Sequence, residues 1–229
     1  MTRLTAWRLF GAALFFALAI FFAVCGGTDY ALFADVEAGN LQRVQAALSA
    51  DPTRLTRRKG DLTLLHLAAA GGHTDMARYL ISLGAELDAP GGRGDYSPIF
   101  HAASTCHAAL TEVLLEAGAK VDFRTLHGET PLMVAVSRCP SGMIAQFLKH
   151  GADVNARNDG HETALEIAAF SGGSPDVVRM LLTAGAEIPG QLLENLQKRR
   201  VGTTSDDPRL KAVVAILEAW PARAHFLPK

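Results

Sequence analysis

A surplus of charge of either sign is missing from this sequence: 22 lysines and arginines stand against 23 aspartates and glutamates, for a formal net charge of −1. A protein that tracks a phosphate backbone needs a basic excess to displace its counterions, so nucleic acid is excluded as a partner. Cysteine is scarce too, at three in 229 residues, which rules out a disulfide-rich scaffold. Catalytic signatures are also lacking. There is no Gly-x-Ser-x-Gly elbow and no phosphate-cradling glycine loop, and His161-Glu162 starts a His-Glu-x-x-His pair that Leu165 leaves unfinished. The expectation is a protein that is not an enzyme and carries no cofactor or metal.

What is present begins with an apolar run. From Leu9 to Cys25 there are 17 residues without a charge, preceded by Arg3 and Arg8 and followed by Asp29, Asp35 and Glu37. A bilayer core takes about 20 apolar residues and a cleavable signal core about 7 to 15, so the run lies on the border between anchor and signal. Three outcomes stay open: an uncleaved anchor, cleavage after the loosely fitting small residues Ala23 and Cys25 or Val24 and Gly26, and lipidation at Cys25. Because both arginines precede the run, the positive-inside tendency places everything after Thr28 outside the cytoplasm. Residues 1–28 are therefore read as a signal sequence or membrane anchor. The rest is expected to be exported, either anchored in an inner membrane facing the periplasm or free in the periplasm.

Beyond this segment the chain repeats itself. A Gly-Ala pair recurs at Gly84-Ala85, Gly118-Ala119, Gly151-Ala152 and Gly185-Ala186, at spacings of 34, 33 and 34 residues. A hydroxyl residue precedes each glycine, by 21 residues at Thr63, Ser97 and Thr130 and by 22 at Thr163. Between these markers the apolar pattern is helical and split by a turn, as where Leu64, Leu65, Leu67 and Ala68 precede Gly71-Gly72 and Met76, Ala77, Leu80 and Ile81 follow. The hydroxyls suit N-caps, Pro98 and Pro131 suit the first helical position, and the glycines suit left-handed C-terminal caps. The stretches between one cap and the next hydroxyl read as hairpin fingers.

The pattern resembles the ankyrin repeat family. Thr63-Leu64-Leu65-His66 with Ala68-Ala69 and Gly72-His73, Thr130-Pro131-Leu132, and Gly151-Ala152-Asp153-Val154-Asn155 carry the likeness. It departs at Leu64 and Ala164 in the proline place, at Phe100, Met133 and Glu166 in the histidine place, and at one inserted residue around Gly172-Gly173-Ser174. The resemblance implies an all-α repeat solenoid of helix-turn-helix units with β-hairpin fingers, behind the N-terminal hydrophobic helix. Residues 29–59 read as an N-terminal capping repeat, with Ala34 to Leu48 as the second half of a repeat turning at Gly39-Asn40. Residues 60–188 read as four repeats. Residues 189–229 read as C-terminal capping helices and a tail, with helices at Gln191–Arg200 and Pro208–Trp220 shielding the last apolar face.

The resemblance also implies a function, because ankyrin proteins generally bind protein partners on the concave face formed by the fingers and the outward side of each first helix. On the fingers this selects Arg93, Asp95, Tyr96, Phe123, Arg124, His127, Arg157, Asn158 and His161. On the first helices it selects His101, Arg138 and Phe170. Tyr96 and Phe123 have an alternative role, packing finger against finger. His66 stands where the family's helix-start histidine usually bonds neighbouring backbone.

Cys106 and Cys139 occupy equivalent turn positions in adjacent units. In an exported protein they are disulfide candidates, although neighbouring repeats lie about 10 Å apart and a bridge needs Cα atoms within about 7 Å. The alternative is two free, half-buried thiols. The expected protein is a monomer, similar in class to bacterial envelope ankyrin proteins, that binds a protein partner. Sharper forms are an immunity or inhibitor protein acting on a toxic envelope enzyme, and a scaffold or protective partner of an envelope enzyme. A small-molecule or haem carrier is a different class and would need an apolar pocket with converging polar groups.

Overall fold

The structure, a computed structural model, describes residues 27–171, 174–202 and 207–223. The apolar N-terminal run, Cys25 and the Gly172-Gly173 insertion lie outside the described residues. Among the described residues no helix is long and apolar enough to cross a membrane.

Each hydroxyl marker becomes a helix start. The side chains of Thr63, Ser97, Thr130 and Thr163 accept hydrogen bonds from the backbone N–H groups of His66, Phe100, Met133 and Glu166. These caps open the inner helices α3 (Leu64–Gly71), α5 (Pro98–Ser104), α7 (Pro131–Val136) and α9 (Ala164–Phe170). Each inner helix turns into an outer one: α4 (Thr74–Ser82), α6 (Ala108–Glu116), α8 (Ser141–Lys149) and α10 (Pro175–Thr183). Each outer helix ends on a glycine of its Gly-Ala pair with φ between +81° and +93°, a region that side chains resist. The alanine after each glycine then donates its N–H back into the last turn, for example Ala119 to Leu114 and Ala152 to Phe147, both at 3.0 Å.

Ser97, Thr130 and Thr163 are buried, at 2% exposure or less, so water cannot replace them as acceptors. Thr130→Ala is accordingly expected to cost about 1–2 kcal/mol in urea unfolding while Thr130→Ser retains most of the stability.

Stacking follows from residue size. Ala68, Ala69, Ala102, Ala103, Ala135 and Ala168 are fully buried on the inner helices, and small side chains let α3, α5, α7 and α9 pack in sequence order. Large residues fill the layer between inner and outer helices: Leu80, Leu114, Phe147 and Leu181 recur at the repeat period and are 0% exposed. A carboxylate or amide also ties each unit to the next. Asp88 accepts from the Lys120 N–H at 2.8 Å, Asp122 from the Asp153 N–H at 3.1 Å and Asn155 from the Glu187 N–H at 2.9 Å.

Among the described residues, further helices pack on both outermost repeats. The sequence pattern shows only a half-unit over Ala34 to Leu48, but the structure has both helices, α1 (Gly27–Glu37) and α2 (Leu41–Ala50), joined at Gly39-Asn40, with α1 packed on α3. The difference arises because, among the described side chains of α1, Leu32, Phe33 and Val36 alone are buried, too few for a clear helical period. At the other end α11 (Leu192–Gly202) and α12 (Pro208–Arg223) pack on α9 and α10.

Candidate functional site

The fingers are built mainly from backbone hydrogen bonds, with less strand than their reading as hairpins implies. The first is a two-stranded hairpin, β1 (Arg58–Lys59) paired with β2 (Leu62–Thr63). The second is closed by one bridge between Gly91 and Tyr96. The third and fourth are turns closed by Thr125 N–H to Glu129 O and Asn158 N–H to Glu162 O, each at 3.1 Å. Successive fingers also hold one another: Leu126 N–H reaches Gly94 O, Asp159 N–H reaches His127 O, both at 3.0 Å, and the Arg124 guanidinium donates to the Arg157 carbonyl. The result is one continuous edge.

Several residues expected to face a partner are engaged inside this edge. Tyr96 stacks on Phe100 with ring centroids 4.8 Å apart and meets His101 edge-on at 5.8 Å. His101 meets His66 at 5.6 Å, and burial pushes its imidazole below the ordinary range. Its Nε2 is buried and, among the described residues, has no hydrogen-bond partner. These rings form the joint between the second finger and the inner helices.

Arg157 donates to His161 O at 2.7 Å and lies 3.9 Å from Glu166. Asn158 is bonded to the Glu162 side chain and backbone. Phe123 and Phe170 are half-buried.

Other residues remain available. Arg93, His127, Arg138 and His161 are exposed, and among the described residues their side chains engage no hydrogen-bond or ion-pair partner. Leu126, at the tip of the third finger, is 59% exposed. Sequence reasoning missed it, since a lone leucine between Thr125 and His127 carries no periodicity and single exposed apolar residues are common. Asp95 and His161 adopt left-handed φ values of 50° and 61°, a region that the first and third fingers enter with Gly60 and Gly128. For a residue with a Cβ this costs about 1–2 kcal/mol.

Away from the fingers, a disulfide joins Cys106 to Cys139, with Cα atoms 5.3 Å apart. The two turns are equivalent in sequence but not in conformation: Cys106 is left-handed at φ 60°, and Cys139 is not. Among the described residues no group of three or more His, Cys, Asp or Glu could hold a metal ion. A groove between α10 and α12 is lined by Ala212, Ala215, Ile216, Ala219 and Trp220, with Arg179 and Thr183 at its polar side.

Comparison with known proteins follows the same repeats. A family model for ankyrin repeats (3 copies) matches residues 32–125 and 120–191. The chain is similar to the human Ankyrin repeat and SOCS box protein 16, 40% identical over 109 residues that make up 44% of this chain and 23% of that protein. It is similar to Palmitoyltransferase Hip14 of Drosophila melanogaster, 50% identical over 125 residues, 55% of this chain and 20% of that protein. It is 42% identical over 65 residues to the human Protein phosphatase 1 regulatory subunit 27, covering 28% of this chain and 42% of that protein. The chain thus spans less than half the length of these curated relatives.

Proposed function

The chain belongs to the ankyrin repeat family and is a protein–protein interaction module; on that premise we propose that it binds its partner through the finger edge, outside the cytoplasm. The observation that carries this reading is a row of uncommitted anchors on one edge, Arg93, Leu126, His127 and His161; Arg138, expected on an inner helix, instead lies past the end of α7 in the turn to α8 and is not part of that edge. Arginine and apolar side chains whose groups are not spent internally are the types that dominate interface energetics. We read the module as non-catalytic. A regulatory subunit among its relatives agrees with a partner that is itself an enzyme.

Export is supported by two independent features. The uncharged run behind Arg3 and Arg8 has the length and flanks of a targeting element. The Cys106–Cys139 bridge is of a kind that persists in oxidising compartments. Fusing residues 1–28 to a reporter active only outside the cytoplasm tests the first feature, and an inactive fusion would remove it.

The binding edge is tested by His161→Gly. Relief of the left-handed strain should raise stability by about 1 kcal/mol, while loss of the imidazole weakens capture of the partner from envelope extract. A second variant, Leu126→Ala with Arg93→Ala, should weaken capture with unfolding unchanged. Undiminished capture by both variants rejects the finger edge.

A further inference from the structure

Two of the turns that join an inner to an outer helix, at Gly39 and Gly72, are each covered by an imidazole from the following unit. His73 places its Nε2 2.8 Å from the Glu37 carbonyl, and its ring lies over Gly39 so closely that a Cβ there would sit 2.7 Å from Nδ1. His107 covers Gly72 in the same way, leaving a Cβ only 2.5 Å from the ring. Ring and glycine are therefore mutually required at these two seams.

At the next seam both partners have changed. The turn residue is Cys106, left-handed like Gly39 and Gly72 but carrying a Cβ into the space that the ring occupies elsewhere. The residue 33 positions after His107 is Pro140, which has no imidazole. Cys139 beside it is bonded to Cys106 instead. A histidine at 140 and a side chain at 106 would compete for one volume, so the disulfide takes over what the glycine–histidine packing does at the two preceding seams.

We propose that the Cys106–Cys139 disulfide is a redox-operated latch between the second and third units. Its reduction loosens this seam and with it the alignment of the second and third fingers, which meet at Leu126 and Gly94. A dithiol is the reductant. Its two sulfurs form a new S–S bond as the Cys106–Cys139 bond breaks, and two electrons and two protons pass to the cysteines. Once reduced, the turn keeps a left-handed residue with a Cβ and lacks both ring and bridge. The consequence for binding rests on the finger-edge reading; the latch itself does not.

Hydrogen exchange on the full-length chain, oxidised and then treated with dithiothreitol, tests this. The reporters are the amides of His107 and Cys139, bonded to Ala102 and Ala135 at 2.9 and 2.8 Å, against the amide of His73 in the preceding turn. Reduction should speed the first pair about tenfold more than the reference. The triple variant Cys106→Gly, Cys139→Ala, Pro140→His restores the packed seam and should exchange slowly with or without dithiol. Equal acceleration at both turns overturns the latch, as does full alkylation of both cysteines before reduction. A seam that loosens while partner capture is unchanged supports the latch and counts against the finger edge.

Discussion

Phe147→Ala is expected to destabilise the protein by about 3–5 kcal/mol, a large part of the roughly 5–15 kcal/mol that holds a domain folded. Phe147 is 0% exposed and occupies, at the repeat period, the place filled by Leu80, Leu114 and Leu181. Alanine would remove most of a side chain lodged between the inner and outer helices of the third unit, and close-packed neighbours collapse only in part around such a void. Because each unit buries its apolar face only against its neighbours, the defect also weakens the docking of the second and fourth units. Phe147→Leu, which installs the residue the other repeats use, should cost about 1 kcal/mol. Urea unfolding followed by far-ultraviolet circular dichroism measures both. A loss below about 1 kcal/mol for the alanine variant would mean that the third unit is not packed as described.

Acid should weaken the fold through His66, between about pH 6.5 and 4. Its Nδ1 accepts the Thr63 backbone N–H at 3.1 Å and lies 2.7 Å from the Thr63 hydroxyl, and Nε2 lies 2.8 Å from the Tyr96 carbonyl. A backbone donor on one nitrogen and a carbonyl acceptor on the other require the neutral Nε2–H tautomer. Protonation would put a proton where the Thr63 N–H already points. Burial at 1% exposure pushes the imidazole down from 6.5 to about 4, helped by the neighbouring His101 and Arg58 and opposed by the hydrogen bond to Tyr96.

The folded-state value lies below the unfolded one, so the unfolded chain takes up the proton first as pH falls. Stability is complete above about pH 6.5 and declines until about pH 4, by roughly 3 kcal/mol in all. His101, also lowered by burial, acts in the same direction. Urea midpoints across this range should fall steeply for the natural sequence and much less for His66→Gln. Equal slopes in the two proteins would show that His66 is not the responsible group.

His66 also shows what one residue's sequence context can reveal. Its place three residues after Thr63 is the family's helix-start position, and the resemblance implies a histidine that bonds neighbouring backbone there, as it does to Thr63 and Tyr96. The cap positions were equally legible, because Ser97, Thr130 and Thr163 mark helix starts through local hydrogen bonds that need no knowledge of the rest of the chain. The finger residues were less so. Arg93 and Arg157 look alike in sequence, yet Arg157 is committed to His161 and Glu166, whereas Arg93 is exposed at its finger tip with no side-chain partner among the described residues. Leu126 carries no signal of its own, because exposure is a property of what surrounds a residue.

The repeating unit, its period and its caps are legible in the residues, because they rest on interactions between residues close along the chain. Which finger side chains remain available, that Tyr96, Phe100 and His101 form one joint, and that Cys106 and Cys139 meet all depend on the packed stack. The cysteine pair gives the reason most directly. Counting residues makes the two turns equivalent, but a left-handed backbone at Cys106 and its absence at Cys139 bring their Cα atoms to 5.3 Å, well inside the usual spacing of neighbouring units. Spacing along the chain is written in the residues, whereas distance across the stack depends on how each turn bends.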